Sequence, residues 1–199
     1  MKVFIIIVAS LLFLILLFYF LFIGRASRPE PEIVELNEPI LVVGLPITTS
    51  DRDIYKDVSK VYSEFVRLKK ENAISRLKEP WAAINISMDY DPGTGTFTYV
   101  AGEAVTAFED LPEGLSGFEI PAGSYAVFPV RPKSRLAWGL EMGRMKRYIY
   151  TEWLPASGFR VPAEGVEFEL HDSRSLGRHP EISLYTGIVK KEAAPLPGK

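Results

Sequence analysis

"VEFELHD", Val166–Asp172, is the stretch on which the reading of the fold turns. Successive residues of a strand point to opposite faces, so Val166, Phe168 and Leu170 share one face and Glu167, Glu169 and His171 the other. In a two-layer domain the apolar face packs beneath helices, which predicts that Glu169 looks away from the helical layer.

The elements needed to build that layer lie upstream. "ILVVGLPITT" (Ile40–Thr49) is rich in branched side chains and reads as a buried strand. Ile54, Val58, Val61, Phe65 and Leu68 then recur at helical spacing, predicting an amphipathic helix from about Asp51 to about Leu77, with Thr49 or Ser50 as its cap. "AAINISMDY" and "FTYVAGEAV" read as strands joined by a hairpin turn in "DPGTGT". A second unit repeats the order. A strand pair falls in "FEIPAGSYAVFPV", and a helix carries Trp138, Met142, Met145, Ile149 and Trp153 before "LPASGF" ends it. "VEFELHD" and "ISLYTGIVK" close the unit. Each half therefore reads strand, helix, strand, strand. Such a duplication predicts an α+β fold with one antiparallel sheet, both helices on one face and a concave groove on the other.

The chain of 199 residues fits one such domain, expected over residues 39–191 with a short tail at 192–199. Ahead of it, "VFIIIVASLLFLILLFYFLFI" (Val3–Ile23) carries no charge, and about 20 apolar residues suffice to cross a bilayer. The run is longer than the apolar core of a secretory signal and is followed by the poor cleavage context "GRASR". A retained single-pass membrane anchor over residues 1–24 is the resulting expectation. Lys2 on one side and Arg25 and Arg28 on the other leave the side of the domain open. Residues 25–38 contain "SRPEPEIVELNEP", which reads as an acidic, proline-broken tether.

Composition narrows the chemistry. The 23 basic and 25 acidic side chains leave a formal charge of -2, without the positive surplus that recruits nucleic acid. There is no cysteine, which excludes disulfides, thiolate metal sites and a cysteine nucleophile. His171 and His179 stand at no familiar zinc spacing, so neither a metal nor a cofactor is expected. No Gly-x-Ser-x-Gly occurs, and the glycines at Gly93 and Gly95 lie between strands, where they make a turn rather than a phosphate cradle.

Four segments, "FTYVAGEAV", "EIPAGSYAVF", "YIYTEWLPASGF" and "VEFELHD", resemble in order and separation the GyrI-like small-molecule-binding domain, also the effector-binding domain of bacterial multidrug-responsive transcription activators. The resemblance spans roughly Pro39 to Lys190. It implies a groove that takes aromatic, often cationic, compounds around a buried glutamate, and the matching motif carries that glutamate to Glu169. A helix position that the family often fills with tryptophan corresponds to Tyr62 in "YSEF". The family's usual tyrosine is replaced by His171, and its Gly-Pro after the "YAVF" strand by "RPKSR".

Glu169 is thus the first candidate ligand-binding residue, followed by Tyr62, Tyr99, Trp153 and Tyr125 as aromatic walls able to attract a cation. Burial is expected to raise the pKa of Glu169. The expected activity is capture of a hydrophobic or cationic small molecule near a bilayer that is crossed by residues 3–23. Two alternatives use the same domain. One is hydrolysis of strained-ring genotoxic compounds by Glu169 and a tyrosine, as in some relatives in the superfamily, and the other is an adaptor holding a protein partner.

Overall fold

The computed structural model describes residues 2–18, 28–78, 80–132 and 137–191. In chain order the elements are α1 (Lys2–Phe18), β1 (Glu32–Leu36), β2 (Ile40–Ser50), α2 (Ile54–Glu71), β3 (Ala83–Asp91), β4 (Thr96–Val105), β5 (Ser116–Ile120) and β6 (Gly123–Val130). There follow α3 (Trp138–Tyr148), β7 (Phe159–Arg160), β8 (Glu167–His171), β9 (Ile182–Gly187) and β10 (Val189–Lys190). Helix α3 continues through a wider π turn at Ile149–Trp153 and a last turn at Leu154–Ala156.

The long strands form one eight-stranded antiparallel sheet in the order β1-β6-β9-β8-β3-β4-β2-β5. The duplication read from the sequence is visible in that order. The unit β2-α2-β3-β4 lies in the sheet as β3-β4-β2, and the unit β6-α3-β8-β9 as β8-β9-β6. The two meet where Asn85 of β3 pairs with Glu169 of β8. Each unit also lends its leading strand to the other half. β1 pairs with β6, and β5 with β2, so "FEIPAGSYAVFPV" makes two strands that do not pair with each other.

Two short connections force the sheet to curl. β5 and β6 are six interstrand intervals apart, roughly 29 Å on a flat sheet. Only Pro121 and Ala122 join Ile120 to Gly123, and a step of three residues spans at most about 10 Å. The link from Leu36 to Ile40 imposes the same closure between β1 and β2. The sheet therefore rolls around its helix-free face.

Each face consequently has a core. On the inside of the curl Val42, Ile84, Ile86, Val100, Ile120, Tyr125 and Phe168 are buried against one another. On the outside α2 packs Val61 and Phe65 on Val43, Phe97, Tyr99 and Ala101. α3 and its π turn pack Met145, Ile149 and Trp153 on Ala126, Phe128, Ile182 and Leu184. Each large apolar side chain so buried contributes about 1.5–3 kcal/mol relative to exposure. The expected concave groove opposite the helices is thus filled by the protein's own side chains.

Two readings at the N-terminal end are corrected. Glu32–Leu36, expected to be tether, is strand β1, because its extended backbone supplies the ladder partner that the edge of β6 needs. The membrane anchor is overturned as well. Among the described residues no helix is long and apolar enough to cross a membrane. Residues 19–23 of the expected span and the tail at 192–199 lie outside the described residues.

Candidate functional site

Pair registers fix which residues share the helical face. One continuous row crosses the sheet as Phe128, Leu184, Glu169, Asn85, Ala101 and Leu45. Its ends are apolar, lying under α3 and α2, and its middle is polar. The rows on either side repeat the pattern, with Glu167 and Ser87 beside Tyr99 in one and His171 and Ala83 beside Glu103 in the other. A polar strip therefore runs along β8, β3 and β4 between the footprints of the two helices.

Glu169 accordingly lies on the helix-bearing face, the reverse of the sequence expectation. Alternation assigned the face-mates correctly, but the apolar partner Phe168 is buried by the curl of the sheet rather than by helices. The Glu169 side chain is 15% exposed. Its Oε2 accepts from Asn85 Nδ2 at 3.3 Å and stands 3.2 Å from His171 Nε2. A bond from the imidazole to the carboxylate requires the proton on Nε2. Burial pushes the Glu169 carboxyl up, but the pull of His171, Lys146 and Asn85 outweighs it and leaves the group below its ordinary value. The expected rise is corrected, because the strip supplies partners for the charged form.

The helices bring the cations. Lys146 of α3 places Nζ 2.5 Å from Glu167 Oε1, and the Tyr150 hydroxyl donates to Glu167 Oε2 at 3.2 Å. Lys69 of α2 pairs with Glu103, whose Oε1 also accepts from Trp81 Nε1 at 3.3 Å. Burial first, and then Glu167, push the Tyr150 hydroxyl far above its usual range. Two of the three carboxylates thus have a lysine of their own. Glu169 has none bonded to it among the described residues, and its Oε1 accepts no hydrogen bond there.

The aromatic candidates separate. Tyr99 is buried on the same strip, and its hydroxyl is held well above its ordinary value by burial, then by Glu169 and Tyr62. Tyr62 is 51% exposed at the edge of α2. Tyr99 thus lies within reach of the Glu169 charge, and Tyr62 lies beside Tyr99. Trp153 packs edge-on to Phe128 and stacks on Phe159, lining an outer depression of about 340 Å³ with Ile33 and Glu30. Tyr125 lies on the inside of the curl against Phe168, with its hydroxyl pushed up to about 12 by burial, beside a depression of about 450 Å³ next to Pro162 and Val166. Neither depression contains Glu169.

Lys146, Asn85, Glu103 and Tyr55 were not read from the sequence as site residues. Tyr55 reaches from α2 to the Gly139 and Gly143 face of α3. A signal existed for three of them: Asn85 and Glu103 interrupt apolar strands at "INIS" and "AGEAV", and Lys146 sits four residues beyond Met142 on the flank of the apolar stripe.

Comparisons with known proteins agree with this architecture. The transcriptional regulator BrlR of Pseudomonas aeruginosa is 28% identical over 134 residues, 66% of this chain and 46% of that protein, so the chain spans about half the length of this relative. The integron cassette protein Cass2 of Vibrio cholerae superposes with a TM-score of 0.57 at 15% identity, over 80% of this chain and 96% of the other. SAV2435, solved with tetraphenylphosphonium bound, superposes with a TM-score of 0.63 at 12% identity, over 81% of this chain and 94% of the other. Residues 32–188 match the family of Cass2, the integron-associated effector binding protein, over the whole curled sheet from β1 to the end of β9, and the chain belongs to that family.

Proposed function

We propose that the domain binds a small hydrophobic or aromatic molecule bearing a positive charge, in the cleft between α2 and α3 above the strip of β8, β3 and β4. The observation that carries this reading is Glu169: a carboxylate 15% exposed, kept ionised by its neighbours, with one oxygen that accepts no hydrogen bond among the described residues. Its desolvation is a standing cost that an incoming cation offsets. Beside the His171 imidazole, the three carboxylates of Glu167, Glu169 and Glu103 outnumber the ammonium groups of Lys146 and Lys69 by one. Tyr99 and Tyr62 supply ring surface nearby, worth about 0.5–2 kcal/mol for each ring well placed against a cation. The capture of tetraphenylphosphonium by SAV2435, a protein of the same fold, supports the choice of ligand class.

Tetraphenylphosphonium titration of the wild type and of Glu169→Gln tests the reading. The Trp138 ring, 6.2 Å from the His171 ring, provides the fluorescence signal. The substitution is expected to weaken binding at least tenfold, about 1.4 kcal/mol. Equal affinity in both proteins would remove Glu169 from the account.

A further inference from the structure

Lys146 is not only an anchor for α3. Its ammonium and the Tyr150 hydroxyl between them engage both oxygens of Glu167, and its charge also acts on Glu169. The Lys146 side chain is 31% exposed and that of Glu167 10%, so water screens the group of charges only in part. Lys69 and Glu103 form a separate pair on the other side of the strip and cancel each other. Beside the His171 imidazole on Glu169, what a ligand meets is therefore two carboxylates and one ammonium.

We infer that Lys146 fixes the charge that this cleft accepts: its ammonium takes up one of the two negative charges of Glu167 and Glu169, leaving a site matched to a ligand with a single positive charge. This rests on the reading of the cleft as a cation site. Without Lys146 the pair carries two negative charges and suits a dication. Without the charge of Glu167, the ammonium cancels Glu169 and the preference for cations disappears.

The experiment measures dissociation constants for tetraphenylphosphonium, a monocation, and methyl viologen, a planar dication, on the wild type, Lys146→Met, Glu167→Gln and the double variant. Lys146→Met is expected to improve the affinity for the dication relative to the monocation at least tenfold. Glu167→Gln should weaken the monocation at least tenfold, and the double variant, which again carries one negative charge, should return to the wild-type ratio. A ratio in Lys146→Met within twofold of the wild type, or an unchanged monocation affinity in Glu167→Gln, overturns the inference and leaves the cation site standing. A wild type that binds neither probe overturns both. Lys146→Met leaves Glu167 buried and unpaired, so each variant is first melted; if that variant does not fold, Glu167→Gln and the double variant, which bury no unpaired carboxylate at position 167, decide the matter.

Discussion

The hydroxyl of Tyr55 in α2 lies so close to Gly143 in α3 that a Cβ built on the glycine would stand 2.4 Å from it. One turn earlier, a Cβ on Gly139 would stand 3.1 Å from the ring. The two glycines make a flat track for the tyrosine along α3. At Gly143 the obstructing atom is the far end of an exposed side chain, so Gly143→Ala displaces Tyr55 and not the backbone. Alanine is also the better helix former by about 1 kcal/mol, which offsets the lost contact. Stability is expected to stay within about 1 kcal/mol of the wild type, while tetraphenylphosphonium associates several-fold faster. Thermal melts and stopped-flow fluorescence check both, and an unaltered association rate would show that Tyr55 does not guard the entrance.

Glu169 links the strip to pH. Its native carboxyl is held below the ordinary value of 4.5, so ionisation stabilises the fold above that value, and the contribution fades as pH falls through the lower native value. Glu169→Gln keeps the shape and loses the charge. The wild type should be more stable than the variant at pH 7 by about 1.5–3 kcal/mol, the usual worth of hydrogen bonds to a charged group. That gap should shrink in urea melts repeated well below pH 4.5. A gap that widens in acid would contradict the assignment.

From β2 onward the order of the long strands and helices, the duplication and the face-mates of Glu169 were legible, because each follows from periodicity within a segment. What alternation cannot report is which face the helices cover. Phe168 looks like a residue waiting for a helix, yet it is buried by Tyr125 and Tyr185 from other strands of the same curled sheet. That burial depends on the brevity of the links at Pro121–Ala122 and Asn37–Pro39, a topological fact that becomes visible only once the strand order is known. The same blindness hid β1, whose partner β6 lies almost ninety residues further along the chain. It also hid Lys146, because a lysine on a helix flank reads as solvated until its carboxylate is located.

Curling requires room on the inner face, and Gly44 and Gly102 provide it as direct cross-strand partners on β2 and β4. A Cβ on Gly102 would come 2.6 Å from Val42 Cγ1 and 2.8 Å from the Val43 carbonyl oxygen, and one on Gly44 would come 2.6 Å from the Ala101 carbonyl oxygen. Backbone atoms cannot step aside as Tyr55 can. Gly102→Ala is expected to destabilise by about 1–3 kcal/mol through overpacking. Gly158→Ala, where a Cβ meets nothing within 4 Å, should change stability by less than about 0.5 kcal/mol. Urea midpoints of the two variants make the comparison, and similar values would count against a tight seam between β2 and β4.

The pair of Lys69 and Glu103 holds α2 to the sheet as Lys146 and Glu167 hold α3. Glu103 is 2% exposed, and among the described residues its Oε2 has no hydrogen-bond partner, so nearly all its compensation arrives through Oε1 from Lys69 and Trp81. Lys69→Met leaves a buried carboxylate with only an indole N–H. Breaking a fully buried pair in this way costs about 3–5 kcal/mol, but Lys69 keeps some contact with water, and about 2 kcal/mol is the expected loss. Replacing both partners, Lys69→Met with Glu103→Leu, removes the desolvated charge as well as its counter-ion and should recover most of that loss. Denaturant melts of the single and double variants measure the difference. If the double variant were less stable than the single one, Glu103 would be contributing through contacts other than its charge pair.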